Sequence, residues 1–312
     1  MSRSLRVACV QLSPCFKDPA RSRERADALI ALMEPNTLDL LVLPEMAFTG
    51  ALLPLTPPPP RLDVAPFVEV AESGETRDWA ARTARGLNCY VLVGLPTVPR
   101  DAPTDEAPPP YYNSLLVVSP SGALVGVYHK HHLYGTLTNA HADYLWATPG
   151  SAFVALDLPF PSSSPGGGAG EGFRLVPGIC MDLNERDFAP TTEYALASFA
   201  RDERADVLVV AMSWLDSEPP LEGQGGAKEA EGGKDKWEEV RDVISYWVVR
   251  SMPLLGSGAA LVAANRVGRE GDTVFTGSSC VVELGDRPAV AQFANKRGEA
   301  VILAEVELPK RD

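Results

Sequence analysis

The stretch LDLLVLPE, residues 38–45, decides the fold. Its strand-like part is apolar at almost every position, the pattern of a strand covered on both faces rather than one wetted on alternate residues. It ends on a proline and delivers a carboxylate, Glu45. Two further runs behave alike: ALVGVYH (123–129) delivers Lys130, and LVPGI (175–179) delivers Cys180. In layered α/β proteins the carboxyl ends of core strands form the edge where ligands bind. A carboxylate, an ammonium and a thiol gathered there make a candidate catalytic set.

Around these runs strands and helices alternate. Strands are read at Leu5–Leu12, Leu38–Leu43, Cys89–Leu95 and Ser114–Ser119, and the turn Ser119-Pro120-Ser121-Gly122 joins the last of these to a strand at Ala123–Tyr128. Others follow at Asp206–Val210, Ala259–Ala264, Thr273–Phe275, Ser279–Leu284 and Ala300–Val306. Helices are read over Arg21–Met33, most of Phe67–Gly86, Glu193–Arg201 and Trp237–Arg250. RADALIALMEPNTLDLLVLPE (25–45) and EYALASFARDERADVLVVAMSW (193–214) echo each other as helix, polar turn, Asp, apolar strand and site-like residues. Two similar halves with packed sheets and outer helices predict an α-β-β-α sandwich. The Pro-, Gly- and Ser-rich stretches Pro54–Pro60, Pro99–Pro110, Pro161–Gly172 and Ser217–Lys236 read as loops, the last as a lid or a solvated insertion. None marks a domain boundary, so residues 1–312 are expected to form one domain.

The formal net charge of −13 disfavours nucleic acid and anionic membrane as partners, since both require basic patches. No apolar run approaches the roughly 20 residues of a membrane span, and the first strand leaves no room for a secretory signal. Five cysteines at irregular spacing argue against a disulfide framework. A cytoplasmic protein with free thiols is the expectation.

A cysteine hydrolase needs a thiolate, a base and donors for the developing oxyanion. All four histidines (His129, His131, His132 and His141) lie around Lys130, so a Cys/His dyad requires that stretch to meet Cys180. As zinc ligands they lack a matching cysteine or carboxylate spacing, and no metal is expected. Glu45, Lys130 and Cys180 offer another solution: a buried carboxylate serves as base, and an ammonium beside it favours the thiolate. Singly, they read as a surface acid, a hairpin ion-pair lysine and a small core residue. Their joint occurrence carries the weight.

Along nearly its whole length the chain resembles the nitrilase (carbon–nitrogen hydrolase) superfamily, through LVLPEMAFTG, YYNSLLVVSPSGALVGVYHKHHLY, GICMDL, AMSWL and AANRVGREGDTVFTGSSCVV. The resemblance implies a four-layer α-β-β-α fold and a cysteine amidase acting on linear amides without a cofactor. The superfamily's catalytic Glu, Lys and Cys fall on Glu45, Lys130 and Cys180. Within it, GICMDLNERDFAP, ASFARDERADVLVVAMSWLDS, HLYGT and NRVGREGDTVFTGSS are similar to the fungal N-terminal amidases of the N-degron pathway, which deamidate N-terminal Asn and Gln. The implied partner is a peptide or protein N-terminus, with a small amide as the alternative, and the implied assembly a monomer or homodimer.

One departure stands out. The superfamily has a second glutamate between lysine and cysteine, whereas Gly135–Gly150 holds one acid, Asp143. Asp143 is the candidate for that place, and its shorter arm leaves a catalytically impaired binding protein as a further alternative. The resemblance also implies an oxyanion held by Lys130 and the Met181 backbone N–H. A substrate α-ammonium needs an acid to offset its desolvation, and Asp182 and Asp216 are the candidates. Asp182 reads equally as a cap after Cys180. Trp214 and Met212 are candidates for the pocket wall, Asn113 and Ser114 for fastening a turn, and Asn265 and Arg266 for a subunit or sheet edge. A small-molecule ω-amidase or carbamoyl hydrolase would need a cation near Cys180, for which Arg186 is the nearest downstream.

Overall fold

The computed structural model describes residues 3–51, 60–101, 108–135, 143–164, 171–188, 190–217, 219 and 236–309. The first half runs β1 (Arg3–Gln11), α1 (Pro19–Ile30), β2 (Leu40–Val42), α2 (Pro60–Val64), β3 (Glu69–Val70), α3 (Glu75–Leu87), β4 (Tyr90–Val98), β5 (Tyr112–Val118) and β6 (Leu124–His129). The second runs β7 (Leu156–Pro159), β8 (Gly172–Ile179), α4 (Ala195–Asp202), β9 (Val207–Met212), α5 (Lys236–Arg250), β10 (Ala260–Asn265), β11 (Val267–Glu270), β12 (Thr273–Thr276), β13 (Cys280–Glu283), β14 (Ala289–Phe293) and β15 (Ala300–Leu308).

One sheet has the order β15-β1-β2-β4-β5-β6, with β3 beside β4, and the other β14-β13-β10-β9-β8-β7. Each is built on parallel neighbours, β1, β2 and β4 in one and β8, β9 and β10 in the other, flanked by antiparallel strands. Strand β15 crosses back to pair with β1, placing Ile302 opposite Cys9. The inner faces meet through Val7, Leu40, Val42 and Leu92 against Leu175, Val207, Val209 and Val262. The outer faces bury Leu41 and Val91 under Trp79 and Ala80 of α3, and Leu208 and Leu261 under Ile244 and Trp247 of α5. The result is a four-layer α-β-β-α sandwich, and it explains why LDLLVLPE does not alternate. Each fully buried Leu or Val contributes about 1.5–3 kcal/mol, so the middle layer supplies much of the cohesion.

The internal echo is a true correspondence. Asp39, just before β2, accepts the Arg6 backbone N–H at 2.9 Å and also its guanidinium. Asp206, just before β9, accepts the Arg174 N–H at 2.7 Å and the Arg3 guanidinium. In both halves an aspartate thus pins the start of a central strand to its neighbour.

Other expectations shift. The helix expected over most of Phe67–Gly86 starts only at Glu75, because Glu69 lies on β3 and accepts the Thr76 N–H at 2.9 Å as a cap from outside the helix. Strand β7 was not expected; it is a four-residue edge strand just ahead of the Pro161–Gly172 stretch. The strand at Thr273–Phe275 belongs to neither large sheet and forms a hairpin with β11. His141 and most of Ser217–Lys236 lie outside the described residues. Among the described residues no helix is long and apolar enough to cross a membrane.

Candidate active site

Glu45 follows β2 on a turn held to β4, where Leu43 donates to Leu92 O at 2.8 Å and Ala47 to Gly94 O at 2.9 Å. Gly94 is needed there: a Cβ on it would stand 2.7 Å from both Glu45 Cα and Pro44 O. Next to Glu45, Met46 adopts φ +50°, so the chain turns sharply as the carboxylate enters the site. Glu45 is buried, and its Oε1 accepts Lys130 Nζ at 2.7 Å and Asn113 Nδ2 at 2.7 Å. Oε2 accepts the Ser213 backbone N–H at 2.8 Å, a donor supplied by the end of β9 in the opposite sheet.

Lys130 leaves the end of β6 with its own N–H bound to Asn113 O at 2.8 Å. Its ammonium lies between Glu45 and Asp143, 2.6 Å from Asp143 Oδ2. Burial works against its charge, but Asp143 and Glu45 outweigh that and push its pKa well above the usual lysine range. Asp143 reaches it because the backbone comes close: Asp143 N–H donates to Tyr134 O at 2.9 Å, and Tyr134 N–H donates back to Oδ2 at 3.1 Å. Burial raises the Asp143 pKa against the pull of Lys130.

Cys180 joins β8 to the 3-10 turn Cys180–Leu183 and holds φ +43°, a conformation uncommon for non-glycine residues and one that collects at functional sites. Burial raises its thiol pKa and the Glu45 charge adds to this, while Lys130 and a Ser213 backbone hydrogen bond pull the other way. Glu45, Lys130, Asp143 and Cys180 all line one cavity of about 190 Å³. Asn113, Ser213 and Asn184 supply further polar atoms, and Met46, Met181, Trp214, Phe275 and the half-exposed Phe188 form apolar walls.

Of the residues singled out in the sequence, Glu45, Lys130, Asp143, Cys180, Met181 and Trp214 come together here. Asp182 and Asp216 do not line the cavity. Asp182 is buried and saturated, accepting Tyr128 Oη at 2.7 Å and the N–H groups of Ile179, His131 and His132 at 2.8, 3.0 and 2.7 Å. It is the cap of the alternative reading, and it also ties the lysine strand to the cysteine strand. Asp216 is held by Lys296 at 2.9 Å and by Arg297. Met212 is core, and Arg186 is exposed and away from the cavity. Ser114 binds Thr97 and His129.

Asn113 fastens no turn; it donates into the site. Asn265 holds Trp214 by accepting its N–H at 2.8 Å. Arg266 is at no edge but fully buried, paired with Glu270 and stacked 4.0 Å from the Phe275 ring centroid. The three described histidines bind Ser114, Gly150 O and Asn184 O, and none lines the cavity. Sequence reasoning did not single out Ser213 and Asn184 within AMSWL and GICMDLNERDFAP, since they contribute through a backbone N–H and a turn rather than through a reactive side chain.

Residues 6–189 match the family model described as Carbon-nitrogen hydrolase. The chain is 26% identical to a Schizosaccharomyces pombe protein described as protein N-terminal amidase, over 97% of this chain and 100% of that one. A Saccharomyces cerevisiae protein N-terminal amidase is 26% identical over 69% of this chain, which spans 46% of that protein's length. A Pyrococcus abyssi nitrilase is 24% identical over 97% of this chain and 90% of its own. Among solved structures, an N-terminal amidase crystallised with an Asn-Glu-Ala peptide superposes with a TM-score of 0.79 at 18% identity, covering 98% of each chain.

Proposed function

The chain belongs to the carbon–nitrogen hydrolase family, and from that premise we propose that it releases ammonia from the side-chain amide of N-terminal Asn or Gln in peptides and proteins, as the first step of an N-degron pathway. The observation that carries the substrate class is the charge of the cavity. Glu45 and Asp143 stand against a single Lys130, leaving one net negative charge while the thiol is neutral. No other cation lines the cavity among the described residues. Such a site favours a substrate bearing an α-ammonium over one bearing a carboxylate: a unit charge about 5 Å away is worth about 3 kcal/mol at an effective dielectric near 20. The likeness to N-terminal amidases, one of them crystallised with an Asn-initiated peptide, supports the same class.

In this reading Glu45 takes the Cys180 proton and the thiolate attacks the carboxamide carbon. Lys130 and the Met181 backbone N–H hold the oxyanion as the tetrahedral intermediate forms. Collapse expels ammonia with the proton that Glu45 carried, leaving a thioester. Glu45 then takes a proton from water, and the hydroxide adds to the thioester carbonyl. The C–S bond breaks with its electron pair on sulfur, and Glu45 returns the proton to Cys180 as the new carboxyl group departs. Asp143 keeps Lys130 aligned, so the missing glutamate leaves no gap and the binding-only alternative loses its motive. A small-molecule ω-amidase is disfavoured by the lack of a second cation.

The test is ammonia release from Asn- and Gln-initiated peptides, their α-acetylated forms and small amides carrying a carboxylate. Free peptides are expected to react at least about tenfold faster, the ratio set by about 1.4 kcal/mol. Equal rates with acetylated peptides would overturn the reading, as would turnover that survives Cys180→Ala.

A further inference from the structure

We infer that Asn113 is a positioning residue that dictates which oxygen of Glu45 moves the proton, an inference that rests on Glu45 as base and Cys180 as nucleophile. Asn113 Nδ2 and Lys130 Nζ both donate to Glu45 Oε1, each at 2.7 Å. A carboxylate oxygen offers two lone pairs, so Oε1 is filled. The amide orientation is set by the carboxylate alone, Asn113 Oδ1 being buried without a hydrogen-bond partner among the described residues: turned over, that oxygen would face the carboxylate as a second acceptor. Asn113 also accepts the Lys130 N–H through its own carbonyl at 2.8 Å. One residue therefore holds the base by its side chain and the lysine by its main chain.

Oε2 is placed differently. Among the described residues it accepts one donor, the Ser213 N–H at 2.8 Å, and Glu45 and Cys180 line the same cavity. Oε2 therefore keeps a free lone pair for the Cys180 proton, whereas Oε1 has none. In the first step the S–H bond breaks, its electron pair stays on sulfur and the proton passes to Oε2. The same proton then leaves Oε2 for the departing amide nitrogen.

Two variants test this. Asn113→Asp keeps the shape but puts an acceptor where a donor stood; Asn113→Ala removes the donor. The titratable groups around Glu45 are Lys130 after β6, Asp143 and Tyr134 at their mutual backbone tie, Cys180 after β8, and Arg266 behind Phe275. All are unchanged in the variants. Loss of a donor to the charged form, and still more a like charge beside it, makes the carboxylate hold its proton to higher pH. The acid limb of kcat/KM is expected to move upward by about half a unit in Asn113→Ala and by about one unit or more in Asn113→Asp. At neutral pH kcat should fall roughly 10- to 100-fold, with KM changing less.

Alkylation of Cys180 by iodoacetamide, which needs no substrate, should also move to higher pH in Asn113→Asp. An unmoved limb and an unmoved alkylation profile in folded Asn113→Asp would overturn the inference, even while the wild type deamidates peptides. A wild type that releases no ammonia from any substrate sinks the proposed function instead, and the alkylation profile still decides on Asn113. If Asn113→Ala does not fold, the isosteric Asn113→Asp decides alone.

Discussion

Lys130 Nζ stands 2.6 Å from Asp143 Oδ2, so an aspartate closes an ion pair for which a longer acid is usual in proteins resembling this one. The missing methylene is supplied by the main chain, through the two-way tie between Asp143 and Tyr134. Removing it should leave Lys130 with Glu45 alone. Asp143→Ala is expected to lower kcat about 10- to 100-fold, the scale of loss when a reactive group is misplaced by up to about 1 Å. Because Asp143 keeps some exposure and Lys130 retains one partner, stability should fall by only about 1–3 kcal/mol, less than for a sealed pair. Asp143→Glu should not improve on the wild type, since a longer arm must push against this tie. Steady-state kinetics and thermal unfolding read both outcomes.

The resting thiol should be unreactive. Burial and the Glu45 charge raise the Cys180 pKa, so the protonated form persists well above neutral pH. Alkylation at pH 7 is expected to be slower than for an unperturbed thiol, and its rate should still be climbing above about pH 9. A plateau near neutral pH would show instead that Lys130 and Ser213 dominate.

Gly94→Ala tests the close approach of two strands. The added Cβ would meet Glu45 Cα and Pro44 O at 2.7 Å, both backbone atoms that cannot swing aside. Overpacking of this kind costs about 1–3 kcal/mol. Activity should fall more than stability explains, because the strain lands on Glu45. A variant with wild-type kcat would show that the turn shifts without moving the carboxylate.

Asp182→Ala separates scaffold from recognition. It would strand the N–H groups of Ile179, His131 and His132 in a buried site, at a cost of about 3–5 kcal/mol. Melting should drop by several degrees, while the preference for free over acetylated peptides stays unchanged in whatever folds. Loss of that preference would return Asp182 to the role of ammonium partner.

Phe188 is 51% exposed, holds φ +60° and faces Tyr134 with ring centroids 6.5 Å apart at the cavity wall. An exposed aromatic held in an uncommon conformation fits contact with the substrate beyond its first residue. Phe188→Ala should raise KM for peptides severalfold and leave a small amide almost unaffected, since one apolar contact is worth about 1–2 kcal/mol. Equal effects on both substrates would place Phe188 in the scaffold.

What was legible in the chain follows from where its information is local. Glu45, Lys130 and Cys180 each sit directly behind an apolar run, so strand and reactive group are written side by side. The sandwich was legible because strands covered on both faces leave no alternation. Asp182 and Asp216 were misplaced as substrate contacts because their partners are remote: backbone N–H groups of His131 and His132 for one, Lys296 and Arg297 for the other. Asn113 was misread since its target, Glu45, lies 68 residues earlier. Glu69 looked helical because a cap that acts from a neighbouring strand leaves no periodic mark.

The mirrored aspartates Asp39 and Asp206 mark a molecule of two comparable halves, and the reactive groups are divided between them. Glu45, Lys130 and Asn113 extend from one sheet, Cys180 and the Ser213 N–H from the other. In the proposed mechanism neither half alone owns a complete reaction. Turnover therefore doubles as a gauge of assembly: a chain caught with its halves apart is silent, so any measured activity counts only molecules that have finished folding.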